Sequence, residues 1–258
     1  MRTLLAVMAI WVLFAPIAAA DLVQNGVVFA DLNADGVRNA GEAGLSGVLV
    51  SNGVDVVATD RQGRYAVATP SHGEIFVIQP PGYQVAIDET NTPRFFRLFR
   101  GAPPALGYPV PPASEPAPDS LNFPLTRGGP GSQFTALLFA DPQATTDREL
   151  TFVRDDFLAP AAQHEAAFAV GLGDLINDDL ALLPRYRRLT GTLGIPVWAI
   201  AGNHDLNFQA TEDAHSLETF ALHYGPARYA FMVGDAVFVA LDNVTYLGRG
   251  TSTTPNPR

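Results

Sequence analysis

The feature that most constrains this fold is a pattern repeated in the second half of the chain, where three apolar runs each end in a polar motif. The motifs are Asp141-Pro142-Gln143, Gly173-Asp174 and Gly202-Asn203-His204-Asp205. Asp141 and Asp174 are 33 residues apart, and Asp174 and Asn203 are 29 apart, which suits βαβ units of about 30 residues. Because parallel strands joined by right-handed crossovers point the same way, we expect all three motifs at one carboxyl edge of a sheet.

The segments between the motifs fit this α/β interpretation. The run 134–140 is continuously apolar, which predicts a strand buried on both faces. The segments 147–164 and 179–190 are long enough for helices, and Asp147 is suited to cap the first of them. The remaining runs predict further strands at 166–172, 195–201, 229–231 and 236–243.

The first part of the chain has a different texture, with short apolar stretches separated by turn residues from Gly26 to about Val77. This pattern predicts a small antiparallel β-sandwich, Ig-like or transthyretin-like in shape. Seven prolines between Ala102 and Pro118 predict an extended linker. We therefore expect a β-sandwich domain over 21–101, a proline-rich linker and bridging segment over 102–127, and an α/β domain over 128–258.

Within the predicted sandwich, residues 31–42 match the twelve-residue calcium-loop pattern, with a glycine at its sharpest bend. Calcium requires six to eight oxygens, so alternating oxygen-bearing residues are the expected ligands. The alternative is a solvated turn rich in Asp and Asn. The candidate calcium ligands are Asp31, Asn33, Asp35, Val37, Asn39 and Glu42.

Residues 1–20 have the composition of a secretory signal peptide: Arg2, an apolar run, and three alanines at a cleavage site. The apolar run is shorter than the roughly 20 residues that a membrane-spanning helix needs. We therefore expect export to the periplasm or the extracellular space, with no membrane span after cleavage.

Composition excludes several classes of function. The chain has no cysteine and no lysine, which removes thiolate chemistry, a Walker lysine and Schiff-base chemistry. A formal net charge of −10 disfavours nucleic acid as a partner and suits divalent cations. A Gly-x-Ser-x-Gly elbow is also missing, which disfavours a serine hydrolase.

Over roughly residues 134–243 the motifs resemble those of the calcineurin-like metallophosphoesterases, and the first part resembles the N-terminal β domains of secreted members. The resemblance implies the N-terminal part of an αββα sandwich and two divalent ions (Mn, Fe or Zn) that activate water to hydrolyse a phosphomonoester or phosphodiester. It implies that Asp141 and Gln143 bind one ion, that Asp174 bridges both, and that Asn203 binds the second. It also implies that His204 faces the phosphate as an acid or charge stabiliser, oriented by Asp205.

Two departures from the family pattern temper this expectation. Gln143 stands where the family has a histidine, and its amide oxygen is a weaker and harder ligand. The family's later Gly-His-x-His motif is missing, since no histidine follows His223. We therefore expect a truncated or interrupted member with weak or no activity. The alternative is a calcium-stabilised extracellular binding module with a degenerate catalytic domain.

Overall fold

The computed structural model describes residues 22–248. The predicted signal peptide lies outside the described residues. Within residues 22–248, no helix is both long enough and apolar enough to cross a membrane.

The first region is all β and confirms the predicted N-terminal β domain. Its strands are β1 (Val23–Ala30), β2 (Leu49–Ser51), β3 (Val56–Ala58), β4 (Arg64–Ala68), β5 (Gly73–Ile78), β6 (Tyr83–Ile87), β7 (Pro93–Arg94), β8 (Phe96–Phe99) and β9 (Phe123–Arg127). They form a five-stranded sheet in the order β4-β1-β9-β6-β7 and a four-stranded sheet in the order β3-β2-β5-β8. Side chains from both sheets, such as Val28 and Ile75, are fully buried in one core.

The expectation of a purely antiparallel sandwich is wrong at one place. Strand β1 pairs with β4 in antiparallel fashion, but it pairs with β9 in parallel, with Val28 opposite Phe123. Strand β9 lies at the end of the predicted linker and bridging segment, where a last strand or bridge of the first domain was expected, and it occupies the centre of the first sheet. The polypeptide therefore leaves the β domain after β8 and returns to complete it.

The second region contains three parallel strands, a β-hairpin and short helices. Its strands are β10 (Ala136–Phe139), β11 (Phe168–Leu172), β12 (Val197–Ile200), β13 (Tyr229–Val233) and β14 (Ala236–Ala240). Its helices are α1 (Asp147–Phe152), α2 (Ala159–Ala161), α3 (Leu183–Gly191) and α4 (Glu218–Tyr224). A π-helical turn (Val153–Leu158) joins α1 to α2, and Thr146, rather than Asp147, caps α1 by accepting a hydrogen bond from the Glu149 amide.

The three-stranded sheet has the order β10-β11-β12, and both pairings are parallel. Alternate residues of β11 lie in different cores, with Ala169 facing helix residues such as Leu183 and Val170 facing the β-hairpin and the β domain. Strand β10 is an edge strand of the described sheet, and Leu138 is 59% exposed. The prediction that this strand is buried on both faces is therefore wrong.

The two regions share one hydrophobic core across their boundary. Phe95 of the β domain is 2% exposed, and its ring lies 5.0 Å from Trp198 of β12 and 5.2 Å from Tyr229 of β13. Trp198 in turn stacks on Phe231, with ring centroids 4.0 Å apart. The β domain is therefore packed directly against the parallel sheet.

The proline-rich segment follows the surface of the second region instead of spanning open solvent. Leu106 packs beside Leu206, and the Gly107 amide donates a hydrogen bond to Gln209 Oε1 at 2.9 Å. Tyr108 packs on the core that contains Ala169 and Leu183, and it donates its hydroxyl proton to Asp179. Over residues 102–118, all of which the structure describes, the segment forms no helix or strand, and it is held against the second region along part of its length.

Candidate metal centre

The three polar motifs follow the three parallel strands at the same edge of the sheet. Asp141 lies two residues beyond β10, Asp174 two residues beyond β11, and Asn203 three residues beyond β12. Because both strand pairings are parallel, the three carboxyl ends are adjacent. The convergence expected from the sequence spacing is present in the structure.

Asp174 is the hub of this arrangement. Its side chain is 8% exposed, and Oδ2 accepts a hydrogen bond from Gln143 Nε2 at 2.8 Å while Oδ1 accepts one from the His204 amide at 2.9 Å. Gly202 packs so closely that a Cβ atom there would overlap the Asp174 carboxylate. All three motifs therefore meet at one carboxylate.

The backbone at this edge is strained. Asp141, Gln143, Asp174 and Asp178 have φ values of 53°, 41°, 50° and 64°, in the left-handed region that costs non-glycine residues about 1–3 kcal/mol each. Such strain persists where the surrounding structure holds it, and it clusters at functional sites. The strain is consistent with loops whose conformation is set by the positions of particular side chains and not by the lowest backbone energy.

Asp141 and Asn203 present free oxygens at this edge. Both residues are exposed, and their side chains form no hydrogen bond with any other described residue. With the Asp174 carboxylate they supply oxygen donors, the ligand type that hard divalent cations prefer. These residues fit the chemistry of a divalent metal ion.

Gln143 fits a metal less well. Its amide nitrogen, not its oxygen, faces Asp174, and a nitrogen that carries two protons cannot ligate a cation. An ion held by Asp141, Gln143 and Asp174 would require this amide to turn and to give up its hydrogen bond. The first of the two expected metal positions is therefore the weaker one.

His204 is paired with Asp178, through a 2.7 Å contact between Nδ1 and Asp178 Oδ1. The hydrogen bond to Asp178 raises the pKa of His204, partial burial opposes this, and the charge of Asp174 adds to the increase. The imidazole is 31% exposed, so it remains accessible from solvent. It can present positive charge or a proton to an anion at this edge.

Asp205 does not orient His204, which corrects the expectation from the sequence. Its carboxylate is fully buried and accepts hydrogen bonds from the amides of Leu175, Ile176 and Gly202. Burial raises the pKa of Asp205 to about 7, although these amides oppose the shift. Asp205 ties the loop after β11 to the loop after β12, and its role is to position them.

Sequence reasoning missed Asp178 as the partner of His204. An aspartate just before a helical turn is typically its N-cap, and the neighbouring Asp179 does cap the 3₁₀ turn Leu180–Leu182. The two adjacent aspartates divide these roles, because Asp178 has a positive φ and its carboxylate reaches the histidine instead. A pair of aspartates where one cap suffices was the available signal.

Acidic side chains of the candidate calcium loop accept hydrogen bonds from the loop's own backbone amides. Asp31 Oδ2 accepts a hydrogen bond from the Gly36 amide at 2.9 Å, and Glu42 closes the loop by accepting the amides of Leu32 and Asn39. Asp31 and Glu42 are only 5% and 7% exposed. The Asp35 carboxylate is exposed, and the Val37 amide is the main cause of its lowered pKa.

One buried oxygen of this loop has no hydrogen-bond partner among the described residues. Asp31 Oδ1 is buried and has no hydrogen-bond partner within residues 22–248, a costly state for a carboxylate oxygen. A calcium ion bound at the first position of the loop would satisfy it. The remaining expected ligands, Asn33 and Asn39, currently bond to Asp35 at 2.8 Å.

Comparison with known families supports the phosphoesterase interpretation from the β domain. Residues 32–104 match the family model described as the N terminal of calcineurin-like phosphoesterase. The match covers less than a third of the chain and ends before Asp141. The match supports a relationship to the calcineurin-like phosphoesterases and therefore a hydrolase that acts on phosphoesters. Members of that family generally bind divalent metals. No curated protein gave a significant match.

Proposed function

We propose that this protein is an exported, metal-dependent phosphoesterase whose site is the Asp174 edge of the parallel sheet. The observation that carries the proposal is the convergence of three motifs on one buried carboxylate, on loops held in strained conformations. The family match of the β domain supports the same class of enzyme from a different part of the chain. The second region would be the N-terminal part of an αββα phosphoesterase sandwich.

The proposed ligands divide as the resemblance implies. Asp141 and Gln143 would hold one divalent ion, Asp174 would bridge two, and Asn203 would hold the second. Bound ions would supply Lewis acidity and an activated water for attack on phosphorus. Because Gln143 now donates to Asp174, we propose that the first ion is weakly held and that activity is low.

The protein's own contribution is mainly charge and orientation. His204, whose pKa is raised by its hydrogen bond to Asp178, would in its protonated form neutralise a phosphoryl oxygen or donate a proton to the leaving group. Asp205 would hold the backbone that carries Asn203 and His204 against the loop of Asp174. Asp141 and Asn203 are exposed, so a phosphomonoester or a phosphodiester could reach them.

The test is hydrolysis of chromogenic phosphomonoester and phosphodiester substrates by the full chain with Mn²⁺, compared with Asp174→Asn. The substitution keeps the shape of the side chain but removes the central charge. Asp156→Asn is the matched control, because Asp156 is exposed in the π-helical turn of the same region. Activity that is metal-dependent, and lost only in Asp174→Asn, supports the proposal; equal activity in both variants refutes it.

A second function is favoured by the unpartnered oxygen of Asp31: an extracellular module stabilised by calcium. This alternative predicts that calcium raises the melting temperature of the wild-type chain and has little effect on Asp31→Asn. Asp119→Asn, at an exposed position of the proline-rich segment, is the control. Calcium stabilisation without metal-dependent hydrolysis would favour the binding module over the enzyme.

A further inference from the structure

A cluster of metal-ligating side chains lies away from the phosphoesterase motifs, where the β domain meets the second region. His72 lies just before β5, His215 ends the 3₁₀ turn Asp213–His215, and Glu218 begins α4. One potential ligand atom from each lies within 4.8 Å of the others. Residues from both regions therefore meet at one point.

The carboxylate of this cluster is buried and held in place. Glu218 is 3% exposed, and its Oε2 accepts a hydrogen bond from Arg100 Nε at 2.8 Å. Its other oxygen, Oε1, lies 3.1 Å from His72 Nε2. Arg100 is itself anchored, since its guanidinium also donates to the carbonyls of Gly73 and Phe99. Carboxylates that bind metals in proteins are commonly held by such hydrogen bonds from neighbouring residues, and here Arg100 is the donor.

His215 supplies an independent indication of a ligand. Its ring lies edge-on to that of His72, with centroids 5.2 Å apart. Its Nδ1 atom is buried and has no hydrogen-bond partner in the part of the chain that the structure describes. A buried ring nitrogen without a partner carries a desolvation cost, and an ion coordinated by that nitrogen would remove it.

The surroundings favour a cation. His72 and Glu218 line a cavity of about 250 Å³, and the residues around it include four carboxylates and two arginines. Acidic groups therefore outnumber the guanidinium groups around the cavity. The additional charged residues are Glu74, Asp213, Asp242 and Arg228.

We propose that His72, His215 and Glu218 bind one Zn²⁺ ion that links the β domain to the start of α4. Two imidazoles and a carboxylate form a typical zinc ligand set, whereas Mg²⁺ and Ca²⁺ prefer oxygen alone. Zinc–ligand bonds of about 2.0–2.2 Å in a tetrahedral site place ligand atoms about 3.4 Å apart. The 3.1 Å between His72 and Glu218 is close to that spacing. Water completes the fourth position.

The proposed ion has a structural role and does not depend on phosphoesterase activity. His72 belongs to the β domain, whereas His215 and Glu218 belong to the second region. A single ion would therefore link the two regions, in addition to the buried contact of Phe95 with Trp198. We expect zinc to stabilise the whole chain against unfolding, because the folded state alone presents the complete site.

The test measures zinc binding by the full chain with a competing chromophoric chelator, in the wild type, His72→Gln, His215→Gln and His164→Gln. His72 and His164 are both exposed, so the first variant and the control are matched for their risk to folding. We expect His72→Gln and His215→Gln each to bind this zinc about 100-fold more weakly or not at all. The control should bind as the wild type does.

Two further measurements identify the site. Co²⁺ bound at four-coordinate sites absorbs strongly in visible light, and this absorption should fall in His72→Gln but not in His164→Gln. Zinc should raise the melting temperature of the control by more than it raises that of His72→Gln. Zinc affinity and stoichiometry equal in all four proteins would overturn the proposal. Loss of phosphoesterase activity in Asp174→Asn does not affect the zinc proposal, because Asp174 lies outside the cluster of His72, His215 and Glu218.

Discussion

Asp88 is the strongest test of how charge holds the two regions together. The residue follows β6, and its Oδ2 lies 2.5 Å from Nη2 of Arg94 and from Nη2 of Arg187 on α3. The side chains of Asp88 and Arg187 are 8% and 11% exposed, whereas Arg94 is 39% exposed. The buried pair therefore joins the β domain to a helix of the second region.

We expect Asp88→Ala to destabilise the protein by about 3–5 kcal/mol, because it leaves the buried guanidinium of Arg187 without a counter-charge. A hydrogen bond from Arg187 to Thr90 remains, which favours the lower end of this range. Arg94→Ala should cost less than about 1 kcal/mol, since that pair is partly solvated. With a urea slope of about 3 kcal/mol/M, Asp88→Ala should lower the unfolding midpoint by about 1 M.

The pH dependence gives the same prediction an independent readout. Burial alone would raise the pKa of Asp88, but hydrogen bonds from Thr90 and Thr92 and the charge of Arg94 outweigh it and lower the pKa. The stabilisation is therefore complete above the unfolded value of about 3.9 and is lost as the pH falls through the folded pKa. The wild type and Asp88→Ala should converge in acid. A loss below about 1 kcal/mol at neutral pH, or equal losses for Asp88→Ala and Arg94→Ala, would refute this reasoning.

Three predictions concern the candidate metal centre. Gln143→His should raise Mn²⁺ affinity and hydrolysis about 10-fold or more, because imidazole replaces an amide that donates to Asp174; unchanged metal affinity would contradict the assignment. Asp178→Asn should lower the pKa of His204, as measured by NMR titration, and activity that requires protonated His204 should then be lost at a lower pH; an unchanged pKa of His204 would contradict the pairing. Gly202→Ala should disrupt the site, because its Cβ overlaps Asp174; full activity and unchanged Mn²⁺ affinity would contradict that packing.

The placement of the metal motifs was predictable because it depends on local periodicity and one topological rule. Apolar runs about 30 residues apart predict parallel strands, and parallel strands bring Asp141, Asp174 and Asn203 to one edge. Neither step requires knowledge of distant contacts. The calcium-loop pattern is similarly local, because Glu42 closes the loop by contacts with residues of the same twelve-residue segment.

The details that sequence reasoning missed depend on contacts between distant segments. Whether Leu138 is buried depends on what lies beside β10, and its apolar run carries no information about this. The partner of His204 depends on the path of the loop that carries Asp178, 26 residues earlier. The meeting of His72 with Glu218 requires the relative position of two regions, which no local pattern encodes.

The aromatic contacts between Phe95, Trp198 and Phe231 determine how the protein can be divided. A cut at the proline-rich segment would expose these rings on both pieces and would also remove β9 from the centre of the first sheet. Neither piece is then a self-sufficient folding unit, and thermal unfolding should follow a single cooperative transition. Replacement of the β domain by that of a relative would succeed only if β9 and the surfaces that carry Phe95, Trp198 and Phe231 were replaced together.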